Sequence, residues 1–199
     1  MSNVITNFKD LDLNGSYTYA DYLLWQFSER LEIIKGKIFQ MSPAPNSFHQ
    51  EILGNLHVEF RSVFKKNVCK VYLAPFDVRL VNRKKSTVDN QIMTVVQPDL
   101  CVVCDPRIVD EKNCLGAPNL IIEILSRGTS KKDSTIKFDL YEENGVQEYW
   151  IVNPFAKEVH IYVLINEKYS GSRPYVLETE IQSPTFPELK FAVDKIFEI

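Results

Sequence analysis

At 199 residues the chain has the length of one domain, and 45% hydrophobic with 25% charged residues is an ordinary globular composition, which excludes a disordered or low-complexity role. The formal net charge of -3 argues against unspecific coating of nucleic acid but leaves room for a local basic groove. No apolar run approaches the roughly 20 residues that span a bilayer, and Met1 to Asp10 lacks the charged and apolar regions of a signal peptide, so a cytoplasmic location is expected.

In chain order, Tyr17 to Ser28 predicts a helix, and Leu31 to Met41 a β-hairpin turning at Lys35-Gly36, where glycine permits a positive φ. Ser47-Phe48-His49-Gln50 has the spacing of a capping box. It opens a helix to about Lys66 in which Ile52, Leu53, Leu56, Phe60, Val63 and Phe64 recur at helical spacing. Strands are expected at about Val71 to Val81, Val95 to Cys104 and Leu120 to Leu125, then a helix from Ser130 to Asn144 stopped by Gly145. Glu148 to Val152 and Val159 to Ile165 read as a hairpin around Pro154, and the tail from Tyr169 as turn-rich with short strands. This order is that of an α/β protein with a mixed sheet flanked by helices, which periodicity alone does not separate from several other α/β folds.

Two of these strands carry a carboxylate inside an apolar run: Asp99 in Gln97-Pro98-Asp99-Leu100-Cys101-Val102-Val103-Cys104, and Glu123 in Asn119-Leu120-Ile121-Ile122-Glu123-Ile124-Leu125-Ser126. Moving an ionised carboxyl out of water costs several kcal/mol, so each needs a partner, either a divalent cation such as Mg2+ or Mn2+ between them or a nearby Arg or Lys. On a helical wheel with Asp133 at zero, Ile136 lies at about -60°, Leu140 at about -20°, Lys137 at about +40° and Tyr141 at about +80°. Lys137 therefore falls in the buried stripe, as a snorkelling side chain, as an i,i+4 partner of Asp133, or as a functional group. Asp133 itself closes a capping box with Ser130.

The set Pro98-Asp99, Glu123 and Lys137 resembles the PD-(D/E)xK restriction-endonuclease-like superfamily. Ala117 to Ser126, Lys132-Asp133, Lys137, Tyr141 and Gly145 to Pro154 are similar to one family within it, the Uma-type endonucleases. Glu32 to Ile38, Met41-Ser42-Pro43 with His49, and Phe186 to Leu189 fit the same family, so the likeness covers most of the chain. The chain departs from the superfamily motif at Leu125, two residues after Glu123, where a lysine is usual. Residues 123 and 125 share one face of a strand, and the resemblance implies that the lysine has moved to Lys137 on the following helix.

The fold implied is restriction-endonuclease-like, in one domain over residues 1–199. The activity implied is Mg2+- or Mn2+-dependent hydrolysis of DNA phosphodiester bonds, with Asp99, Glu123 and the Ile124 carbonyl as metal ligands and Lys137 assisting the attacking water or the phosphate. His49 is a catalytic candidate because the family pattern includes it, although a lone histidine on an apolar helix face also serves as a core residue. Glu32 is a further ligand candidate on the same ground, its simplest position in a strand being solvent-facing. His57 and His160 carry no functional signal. A homodimer is expected because paired sites cut two strands, with Trp25, Phe27, Phe155 and Tyr162 as interface candidates. The alternative is an inactive nuclease-fold protein serving as a nucleic-acid-binding or interaction module.

Arg83-Lys84-Lys85, and Arg127 with Lys131-Lys132, are the basic clusters that would border DNA. Cys69, Cys101, Cys104 and Cys114 are expected to be reduced thiols, because Cys101 and Cys104 point to opposite faces of a strand and no second CxxC completes a zinc site.

Overall fold

The computed structural model describes residues 4–41, 46–81, 88–126 and 135–198. Helix α1 (Tyr19–Tyr22) is one turn long, with a capping box between Thr18 and Asp21. The longer helix expected to Ser28 does not form. Instead the chain turns after Leu23 to bridge Trp25 to Ile5, and Tyr17, Tyr22, Trp25 and Phe27 pack ring against ring. Tertiary aromatic contact outweighs the weak local preference for helix.

Strands β1 (Leu31–Ile34) and β2 (Lys37–Gln40) form the expected hairpin. Lys35 and Gly36 both have positive φ, 51° and 81°, the left-handed backbone that favours glycine at the second position. Helix α2 (Ser47–Phe64) is capped one residue earlier than expected: the Asn46 side chain, not that of Ser47, accepts from the His49 N–H at 2.9 Å.

Two strands expected to run unbroken are each split at a proline. Lys70 to Arg79 becomes β3 (Lys70–Leu73) and β4 (Val78–Arg79), with Ala74-Pro75 between. Val95 to Val103 becomes β5 (Val95–Val96) and β6 (Leu100–Val103), with Pro98 between. Proline has no N–H to give to a ladder, and at each break the chain leaves one sheet for the other. The remaining strands are β7 (Val109–Asp110), β8 (Asn113–Leu115), β9 (Leu120–Ile124), β10 (Glu148–Asn153), β11 (Glu158–Ile165), β12 (Lys168–Gly171), β13 (Tyr175–Val176), β14 (Glu180–Gln182) and β15 (Lys190–Ala192). Helix α3 (Lys137–Glu143) follows β9, and α4 (Asp194–Phe197) ends the described chain. The Ser130–Asp133 capping box lies outside the described residues.

The smaller sheet has the order β2-β1-β5-β4-β8-β7, and the larger β12-β11-β10-β9-β6-β3 with β13 on β11. Strands β9 and β10 are parallel and joined through α3, and β6 pairs antiparallel with β9. Every residue of β9 is buried, because α2 and the C-terminal segment cover one face of this sheet while α3 covers the other. Leu120, Ile122 and Ile124 face α2, and Ile121 faces the α3 side, the alternation that a strand imposes. Among the described residues no helix is long and apolar enough to cross a membrane.

Cys69 and Cys104 are joined in a disulfide, contrary to the expectation of four thiols. They stand one step beyond the Lys70↔Val103 pair, so their side chains lie opposite each other on one face. Cys101 and Cys114 are buried thiols, and burial pushes that of Cys101 well above its usual range.

Candidate active site

The register of β6 with β9 brings the two strand carboxylates together. Leu100 lies across from Ile122, so one step further Asp99 lies across from Glu123, and opposed residues of an antiparallel pair project on the same face. The next pair would be Pro98 and Ile124. Pro98 has no N–H, so the Ile124 carbonyl has no ladder donor there, while the Ile124 N–H donates to Asp99 Oδ2 at 2.7 Å. The Pro-Asp dipeptide thus ends the ladder and fixes a carboxylate at the point where it ends.

Glu123 is buried, and its Oε1 accepts from Lys137 Nζ at 2.7 Å and from the Tyr141 hydroxyl at 2.6 Å. Lys137 and Tyr141 are one turn apart on α3 and form its buried stripe with Leu140. Ile136, placed in that stripe by the helical wheel, is 39% exposed, although its backbone is already helical. The Lys137 ammonium also lies 2.9 Å from Glu32 Oε1. Glu32 does not face solvent, as its strand position suggested. It is wholly buried, because all four β1 residues are covered, and its Oε1 accepts from the Gln97 N–H at 3.0 Å.

Gln97 extends the network. Its side-chain oxygen accepts from Arg30 and its amide donates to Asp77 and to the Tyr22 hydroxyl. Burial raises the Asp77 carboxyl above its ordinary range, against the lowering by the Gln97 amide and the Tyr22 hydroxyl, which both donate to it. Burial, reinforced by the charges of Glu123 and Glu32, pushes the Tyr141 hydroxyl well above the usual phenol range, so it stands as a donor.

His49 reaches Asp99 from the third position of α2, with Nε2 at 3.3 Å from Oδ2. Its Nδ1 is buried without a hydrogen-bond partner among the described residues. His57 is half-buried on α2, and His160 pairs with Glu158 at 3.3 Å, away from these groups. Asp99, Glu123, Glu32, Lys137 and His49 therefore form one connected cluster contributed by both sheets and two helices.

A family model described as "Putative restriction endonuclease", Uma2, matches residues 19–194. The chain belongs to the Uma2 family. It is 28% identical over 145 residues, 71% of each chain, to "Uncharacterized protein slr1290" of Synechocystis sp. (strain ATCC 27184 / PCC 6803 / Kazusa). In structure it is similar to the crystal structure of "a putative nuclease belonging to DUF820" from Anabaena variabilis ATCC 29413, with a TM-score of 0.67, 23% identity, and coverage of 91% of this chain and 97% of that one. The fold is restriction-endonuclease-like: a mixed α/β arrangement around the β6, β9 and β10 core.

The donor types of this Uma2 chain suit a hard divalent cation: the Asp99 and Glu123 carboxylates opposed across β6 and β9, and the Ile124 carbonyl beside them, with Glu123 and Glu32 both on the Lys137 ammonium. No group of three or more His, Cys, Asp or Glu side chains stands at metal-binding spacing among the described residues. A site of two carboxylates and one carbonyl does not require such a group. Tyr141 and Gln97 stand within the sequence motifs but carry no role there. The i,i+4 spacing of Tyr141 from Lys137 was the available signal for the first, while nothing local distinguishes Gln97. The Arg83 to Lys85 and Arg127 to Lys132 clusters lie outside the described residues.

Proposed function

We propose that this Uma2 chain is a one-domain, divalent-metal-dependent endonuclease that hydrolyses phosphodiester bonds of DNA, with Mg2+ or Mn2+ as cofactor. The observation that carries the reading is the Lys137 ammonium at 2.7 Å from Glu123, which supplies the cation that Leu125 does not. Asp99, Glu123 and the Ile124 carbonyl would hold the ion, with Glu32 reaching the same centre through Lys137. When bound, the ion polarises the phosphate and lowers the pKa of an attacking water. Lys137 stabilises the extra negative charge that grows on the phosphate oxygens, a role for which its long stem and compact charge suit it. His49 steadies Asp99 through Oδ2. Two chains related by a two-fold axis would present one site to each strand of a duplex.

A second reading, an inactive nuclease-fold module, is favoured by one observation: Lys137 is shared between two carboxylates, as a purely structural ion pair would be. Plasmid nicking separates the two. Cleavage that needs Mg2+ or Mn2+, stops with chelator and is lost in Asp99→Ala supports the enzyme; duplex binding without cleavage under any divalent ion supports the module. Light scattering that returns the chain mass of 23.0 kDa at micromolar concentration would remove the dimer.

A further inference from the structure

We propose that Tyr141 is a positioning residue of this site, whose hydroxyl holds Glu123 in place so that Lys137 can turn toward the phosphate without releasing that carboxylate. The inference rests on the metal-dependent reading above. Two donors converge on one oxygen of Glu123, Tyr141 at 2.6 Å and Lys137 at 2.7 Å. They differ in what they can do. Lys137 has a four-carbon stem and divides its ammonium between Glu123 and Glu32, so an incoming phosphate competes for it. Tyr141 is fully buried, has two side-chain torsions, and its ring stands edge-on to Tyr149 with centroids 5.0 Å apart. Its bond to Glu123 therefore persists while the lysine moves.

The simpler account is that a buried hydroxyl takes whatever acceptor is near. Tyr169 is the internal control, since its ring packs in the same apolar layer but its hydroxyl donates to the Val146 carbonyl at 2.9 Å instead of to Glu123. Groups that orient a metal ligand typically change metal affinity by about 10- to 100-fold when removed. The test is calorimetric titration of Mn2+ into the metal-free full chain, for the parent, Tyr141→Phe and Tyr169→Phe, below all three melting temperatures. The expected result is about tenfold weaker Mn2+ binding in Tyr141→Phe and no change in Tyr169→Phe, with kcat for cleavage reduced in Tyr141→Phe at unchanged KM. A Tyr141→Phe protein that melts lower but binds Mn2+ like the parent would show a packing role only and overturn the inference. A parent that takes up no Mn2+ would instead bring down the metal-dependent reading, and the positioning role with it.

Discussion

Glu123 and Glu148 are both buried carboxylates in adjacent parallel strands, yet they are held in opposite ways. Glu148, on the face toward α2 and the C-terminal segment, accepts from Trp150 Nε1, from Ser183 Oγ at 2.9 Å and from the Thr185 N–H at 2.8 Å. Those donors are neutral and fixed by the fold. Glu123, on the α3 face, is held by a tyrosine and by an ammonium on a long stem. A carboxylate whose partners are all fixed ties two pieces of chain together, whereas one whose charge partner can move can exchange it for another cation. The first arrangement is architecture, and the second suits the proposed chemistry.

The same substitution at both positions should break this comparison most sharply. Glu123→Gln keeps an oxygen for Tyr141 and Lys137, and Lys137 retains Glu32, so stability should stay within about 1 kcal/mol of the parent while metal binding and plasmid cleavage are lost. Lys137→Ala should lower the cleavage rate by roughly two orders of magnitude or more, with Mn2+ affinity little changed, as single-turnover kinetics and calorimetry would measure. Equal loss of affinity and rate would mean that the lysine only builds the site.

Glu148→Gln is expected to do the reverse. An amide offers one acceptor oxygen, so one of its two ends must face a buried donor with N–H groups, at a cost of about 1–3 kcal/mol in urea unfolding and no change in metal binding. The smallest effect concerns Asp77, a third acid held by neutral donors, for which burial wins. Its folded pKa lies above its unfolded value, so the folded state binds the proton more tightly and stability falls as pH rises through that window. Asp77→Asn should therefore raise the melting temperature at neutral pH, and this gain should vanish below the ordinary carboxylate value of about 3.9. A gain that persisted at low pH would place the effect in packing rather than in the proton.

Much of the cluster was legible in residues 97 to 126 because a carboxylate within an apolar strand conflicts with its surroundings, and such conflicts mark function or pairing. Lys137 was legible for the same reason, as a charge on a buried helical stripe. Glu32 was not, since a charged residue alternating in a short strand has an ordinary solvent-facing account, and only the burial of β1 on every side overturns it. The cap of α2 shows a similar limit: Asn46 and Ser47 are both good caps, and local chemistry does not choose between them.

The family pattern, the α/β order, the two carboxylates and the lysine can be read from the chain alone, because hydrophobic period and misplaced charge are written locally. Which groups meet depends on the packing. Tyr141 on Glu123, Glu32 on Lys137, and Cys69 with Cys104 each join residues 18 to 105 positions apart, and the sheet register and helix docking that bring them within bonding distance are properties of the packed chain, not of any window of it.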